Sequence, residues 1–310
     1  MSSAKIAYLD LQVNGYHGID FNGDLLDAES LHSVCQRLEA DGVAGILATI
    51  ITDTMARMTT RLARLASLRE ADSLAQRMIR GIHIEGPFIS AFPGYVGAHP
   101  KSAAQPASTD GMQRLLDAAG GLTRIVTLAP ECDPRLAVTR RLAQQGICVA
   151  AGHCNPSLAQ LDAALDAGLS MFTHLGNGCP LEMDRHENII QRVLSRAHRL
   201  TISFIADGVH IPWYALGNYL AVTGLERAVV VTDAISAAGL GPGRYTLGGQ
   251  ELVVDAEGGT WSADRSHLMG SSTTMPQIEA NLRQQLGFTD QQITTLTSEN
   301  PQRILTQCVS

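Results

Sequence analysis

Short apolar runs rich in Val, Ile and Ala recur along the chain, separated by stretches in which apolar residues return every three or four positions. The first kind fits buried strands, being brief and β-branched, and predicts eight of them: 6–13, 43–51, 78–84, 124–129, 147–151, 169–173, 200–206 and 228–232. The second kind predicts helices over 28–40, 55–68, 109–119, 134–145, 157–167, 188–197 and 214–223. Asp133-Pro134 and Asn155-Pro156-Ser157 are helix starts, and Gly42, Gly120, Gly146, Gly168 and Gly224 stand where helices should stop. Eight alternating β/α units of parallel character describe a (β/α)8 barrel. The alternative is an open doubly wound sheet, but no G-x-G-x-x-G follows the first strand. After strand eight, RYTLGGQELVVDAEGGTWSAD (244–264) alternates around two glycine pairs and predicts one or two β-hairpins. Closing helices follow near 274–286 and 290–307. Residues 1–310 are thus expected to form a single barrel domain with a β-hairpin appendage.

Composition narrows the class. At 310 residues and 33.1 kDa the chain can bury a large core, and 45% hydrophobic with 17% charged residues is the balance of a soluble globular protein. No uninterrupted apolar stretch is long enough to span a bilayer. The opening MSSAKIAYLDLQ lacks a signal-peptide core and cleavage site, so the expected location is cytoplasmic. Cys35, Cys132, Cys148, Cys154, Cys179 and Cys308 include no C-x-x-C pair, which fits reduced thiols. A net charge of −7 without Lys/Arg clusters disfavours nucleic acid and membrane as partners and favours a small molecule.

A barrel carries its chemistry at the C-terminal ends of its strands. Those ends read Gln12 and Asn14, Thr49 to Thr52, His83 and Glu85, Glu131, His153, His174, Asp207 with His210, and Asp233. Singly, each has a structural explanation: histidines beside apolar runs usually bond backbone groups, while Glu85 and Asp233 could cap the turns that follow them. Convergence changes this, because the strand ends of a closed barrel face one cavity. Glu85, His153 and His174, from strands three, five and six, form a ligand set suited to Zn²⁺ or Fe²⁺ with a position open to water. Asp233 then stands where a general base is needed. His83 with Glu85 also matches half of a zinc deaminase signature, but its P-C-x-x-C is absent. Cys154 and Cys179 follow His153 and His174 too closely to be oriented by them and read as packing residues.

The segments GIHIEGPFIS, GAHPKS, AGHCNP, THLGNGCP, IADGVHIP, VVTDAISAAGL and LMGSSTTM occur in this order. Together, from DLQVNG to about Pro301, the chain resembles the N-acetylglucosamine-6-phosphate deacetylases of the amidohydrolase superfamily. The resemblance implies Glu85, His153 and His174 as metal ligands, one divalent cation per chain with Zn²⁺ ahead of Fe²⁺, and Asp233 as catalytic acid/base. It implies His99 as the histidine that polarises the scissile carbonyl, and Asn177, Gly178, Arg185 and His210 as the residues that hold the sugar phosphate. The implied reaction is hydrolysis of N-acetylglucosamine-6-phosphate to glucosamine-6-phosphate and acetate, in a homodimer whose subunits complete each other's phosphate sites. A deacetylase of another N-acetylated amino sugar or cyclic amide is the near alternative, and a non-catalytic metabolite-binding barrel the distant one.

Departures from the family pattern bear on this picture. Family members ordinarily carry a small β-sandwich formed by residues flanking the barrel, and a shortened form without it is expected here. Gly176, Gly178 and the stretch Asp184-Arg185-His186-Glu187-Asn188 differ from the usual phosphate loop. Many amidohydrolases hold a second metal with H-x-H at the end of strand one; here those positions are Gln12 and Asn14, which marks a vacant second-metal position and a mononuclear site. His17, on a glycine-flanked turn, reads as a loop residue rather than a ligand.

Overall fold

The computed structural model describes residues 6–307; Cys308, counted among the expected thiols, lies outside them. Eight strands pair in chain order, each parallel to the next: β1 (Tyr8–Val13), β2 (Val43–Ile51), β3 (Ile79–Glu85), β4 (Thr123–Leu128), β5 (Cys148–Ala151), β6 (Leu169–Phe172), β7 (Thr201–Ile205) and β8 (Ala228–Val231). Every predicted strand is present within two residues of its expected ends. The glycines assigned to helix ends all have positive φ, the conformation that stops a helix and turns the chain back towards the sheet. The helix Ser73–Met78 was not foreseen; Asp72 caps it by accepting from Leu74 N and Ala75 N. The helix expected over 134–145 starts as a 3-10 turn with Arg135 and Leu136 left-handed and becomes regular only over Ala137–Gln144.

Closure of the barrel rests on few contacts between β1 and β8. Past the strand ends Val13 bridges Ala234, and Asn14 N donates to Ala234 O at 2.7 Å. Within the seam lies the buried carboxylate of Asp10. Its Oδ2 accepts from Thr232 Oγ1 at 2.6 Å, and its Oδ1 accepts from Thr232 N and Gln12 N, both at 3.3 Å. The register of β1 slips here: Asp10 pairs with Ile46 and Val13 with Ala48, three steps on one strand against two on the other. Such a bulge re-aims side chains. Leu9 and Leu11 pack inside the barrel with Leu47, Ile125, Ala150, Ile205 and Val231. Without the bulge Gln12 would alternate with the inward Leu11 and point outside; with it, Gln12 and Asn14 both enter the barrel mouth.

Three more strands, β9 (Gly243–Leu247), β10 (Gln250–Val254) and β11 (Thr260–Ser262), form the expected appendage as one antiparallel sheet. Leu247, Leu252 and Val254 pack against Ile51, Ile235 and Met269, which seats the sheet on the C-terminal rim of the barrel.

Burial pushes the Asp10 carboxyl from an ordinary 3.8 to about 7, against the pull of its Thr232 and Gln12 hydrogen bonds. The folded protein therefore keeps a proton that the unfolded chain releases, and stability should fall as pH rises from about 4 to about 7, then level off. Urea unfolding of Asp10→Asn should show a smaller midpoint difference between about pH 5 and pH 8 than the parent chain. An unchanged difference would remove Asp10 from this role.

Candidate active site

Glu85, the last residue of β3, is buried and is the hub of the rim. His174 Nε2 lies 3.0 Å and His153 Nε2 3.3 Å from its Oε1, and Gln12 Nε2 donates to both carboxylate oxygens at 3.3 Å. Burial alone would raise the Glu85 pKa, but the two imidazoles outweigh it and hold the carboxyl well below its usual range. His99, on the loop after β3, stacks edge-on against His153, with the two Nε2 atoms 3.0 Å apart. Burial and the neighbouring His153 push His99 down to about 3, so it is neutral.

The backbone holds these groups in costly conformations. His153, His174 and Asp233, each just beyond the end of its strand, have φ of 51°, 35° and 51°. Left-handed backbone costs a non-glycine residue roughly 1 kcal/mol, so other contacts must enforce it. His174 N donates to Ser203 Oγ at 2.8 Å, Ser90 N to His153 O at 2.9 Å, and Ser271 N to Asp233 O at 2.9 Å. His153 is also wedged between backbones: a Cβ on Gly178 would lie 2.8 Å from its Nδ1, and one on Gly97 3.0 Å from its Cε1. Its Nδ1 lies 2.9 Å from Tyr95 O, an acceptor that orients the ring with Nε2 facing Glu85.

Asp233 is buried opposite. Its pKa is raised to about 6 by burial and by the charge of Glu85, against a 2.7 Å hydrogen bond from Asn14 Nδ2 to its Oδ1. The two amides of strand one are thus orienting groups: Gln12 holds Glu85 and Asn14 holds Asp233.

Glu85, His99, His153, His174, Asn177, Gly178, His210, Asp233 and Asn14 all line one cavity of about 760 Å³. Asp207 Oδ2 accepts from His210 Nδ1 at 2.6 Å; burial pushes His210 down, but Asp207 outweighs it and favours the imidazolium. Arg185 does not join them. It is exposed on a loop turned outward, where the Asp184 carboxylate accepts from His186 N and Glu187 N. Among the described residues the cavity wall includes no lysine or arginine. His83 packs behind the site, bonded to Leu11 O and Thr127 Oγ1, and burial lowers it to about 4; it is a core histidine. Glu131 accepts from Asn155 N, and neither it nor His17 lines the cavity. The sequence reading did not foresee that Trp261, Ser266, His267 and Leu268, from the appended sheet and its hairpin, form part of the wall. The position of that hairpin directly after strand eight was the available signal.

The donor set fits a divalent cation. Glu85, His99 and His153 offer ligand atoms within 4.8 Å of one another, and His174 meets the same carboxylate. Two imidazole nitrogens face each other at hydrogen-bond distance, while buried His99 Nδ1 and His174 Nδ1 have no partner among the described residues. A buried carboxylate ringed by imidazoles, two of whose nitrogens meet each other, is a donor set that a cation would satisfy. A parallel barrel with this cluster at its C-terminal mouth defines a hydrolase of the amidohydrolase type.

Comparison with known proteins agrees. No protein-family profile matches the chain. It is 32% identical over 296 residues to the N-acetylglucosamine-6-phosphate deacetylase of Bacillus subtilis, covering 94% of this chain and 72% of that one. Identity to the human enzyme of that name is 33% over 313 residues, covering 96% and 73%. Identity to the N-acetylgalactosamine-6-phosphate deacetylase of Escherichia coli O157:H7 is 30% over 299 residues, covering 96% and 77%. The structure of the Mycobacterium smegmatis N-acetyl-D-glucosamine-6-phosphate deacetylase, an aspartate-to-alanine mutant in complex with N-acetyl-D-glucosamine-6-phosphate, superposes with a TM-score of 0.87 at 29% identity, over 97% of this chain and 77% of that one. The chain belongs to the N-acetylglucosamine-6-phosphate deacetylase family.

Titrating Zn²⁺ into metal-stripped protein should raise its melting temperature, because an ion bound only by the folded state stabilises it by mass action. Glu85→Gln should abolish the rise; a rise that persists would place the ion elsewhere.

Proposed function

We propose that this protein hydrolyses the N-acetyl group of an amino-sugar 6-phosphate, N-acetylglucosamine-6-phosphate before others, and that residues 1–310 do so as one barrel domain in the cytoplasm. The observation that carries the reading is the pairing of two buried carboxylates with opposite tuning: Glu85 held ionised by imidazoles, Asp233 raised to about 6. Groups pushed apart in this way take different roles in one site. Glu85, His153 and His174 would hold the cation, with Zn²⁺ preferred over Fe²⁺. Bound there, a divalent cation supplies Lewis acidity, lowering the pKa of water and polarising the acetyl carbonyl.

The rest is done by side chains. Asp233 takes a proton from the attacking water and returns it to the sugar nitrogen as the C–N bond breaks, and a carboxyl near 6 can do both at neutral pH. Asn14 keeps that carboxyl aimed while it is ionised. Neutral His99 donates a hydrogen bond to the carbonyl oxygen as negative charge builds on it. At the far end, His210 with the loop residues Asn177 and Gly178 receives the phosphate. A dianion in a wall without lysine or arginine calls for a cation from outside, and Arg185 is solvent-facing. Arg185 is assigned to the phosphate site of a second copy in a homodimer. The apolar rim supports that assembly, since Leu181 is 98% and Phe92 74% exposed. The likeness to an N-acetylgalactosamine-6-phosphate deacetylase keeps that epimer as a second substrate.

Asp233→Asn should lower kcat by roughly 10³-fold while metal content stays at about one ion per chain; retained turnover would take Asp233 out of its role. The two 6-phosphates and their unphosphorylated forms should be screened side by side. Arg185→Ala should raise KM about tenfold for the phosphorylated sugars only. Equal turnover of unphosphorylated sugars by the parent chain would refute the use made of Arg185 and His210.

A further inference from the structure

We propose that Gln250, on the appended sheet, is a positioning residue for His99. The inference rests on the role assigned to His99 above. That imidazole meets His153 along its Nε2 edge, while its Nδ1 is buried without a partner among the described residues. The direction of its Nε2 therefore depends on where the backbone places the ring.

Gln250 Nε2 donates to the carbonyl of Ala98, the peptide that leads into His99, at 3.0 Å. The anchor is itself fixed. Gln250 opens β10 directly after the Gly248-Gly249 turn, and Gly248 N donates to Asp20 Oδ2 at 2.8 Å. On the preceding strand, Ser236 Oγ donates to Thr246 O at 2.8 Å. Ala98 also packs against the apolar cluster of Leu247, Leu252, Val254 and Ile51, so the loop is gripped by one hydrogen bond and one apolar contact from the same sheet. On its other side the loop is tied to the cluster through Tyr95 O and His153 Nδ1. With the Gln250 bond removed, the His99 end of the loop keeps its local turn, in which His99 N donates to Val96 O at 3.2 Å, but loses its polar tie to the appended sheet, while the His153 end keeps its own. A small displacement of a polarising group slows the chemical step more than it weakens substrate binding.

The test is a double-mutant cycle on the metal-loaded enzyme with N-acetylglucosamine-6-phosphate. Gln250→Met keeps the side chain's length and removes its donor. It should lower kcat about five- to tenfold, the effect of one lost hydrogen bond or a slight misplacement. KM, melting temperature and metal content should stay at parental values. In a His99→Asn background the same change should have no further effect on kcat, because the group it positions is gone. An unchanged kcat, a fall matched by lost metal or melting temperature, or an equal fall in both backgrounds would overturn the proposal. If His99→Asn alone leaves kcat intact, the role given to His99 fails instead.

Discussion

The mouth of this barrel is organised around one carboxylate taken out of water. A buried charge is tolerated only where it is paired and hydrogen-bonded. Glu85 therefore needs His153, His174 and Gln12 within reach, and each of those makes a demand on the chain that carries it. For Gln12 the demand is a bulge in β1, gripped by Asp10. For the two histidines it is a left-handed residue at the strand end, held by Ser90 and Ser203. The seam of the barrel and the geometry of its site are consequently one construction, since Asp10 binds both the bulge and Thr232, the neighbour of Asp233.

Strain and charge are arranged in the same place. Three non-glycine residues with positive φ, after strands five, six and eight, stand at the rim, and all three line the cavity. A barrel whose interior is packed with Leu, Ile and Val can support such local cost, because the strands below are fixed on both faces. The rim itself is polar and concave, and the appended sheet roofs part of it. That sheet has its own apolar contact with Ile51 and Ile235. It thus acts as a wall of the cavity, and through Gln250 as a support for the loop bearing His99.

Much of the fold was legible in the chain. Val43–Ile51 and Ala28–Ala40 coincide with their predicted bounds because periodicity and flanking caps agree there. Ser73–Met78 was missed because so short a helix carries too little periodicity to stand out beside the helix before it. Arg135 and Leu136 were read as regular helix because propensity does not reveal a left-handed start. At the site, Glu85, His153, His174 and Asp233 were legible through their places at strand ends, and the structure brings all four to the wall of one cavity. Arg185 could not be placed in the same way: it sits exposed on a loop whose turn includes the hydrogen bonds to Asp184, and it does not line the cavity.

The sequence by itself determined the eight-unit alternation, the rim residues that could carry chemistry and the family to which they point, because those rest on local period and residue type. Only the tertiary structure decided what DLQVNG does. Period two rightly places Gln12 and Asn14 on a common face, but carried through from Leu9 and Leu11 it would turn that face away from the interior. The bulge at Asp10 reverses it, and a bulge is a matter of register between two strands far apart in the chain, Tyr8 pairing with Val43. Which amide then meets Glu85 and which meets Asp233 is a long-range fact of packing that no local pattern encodes.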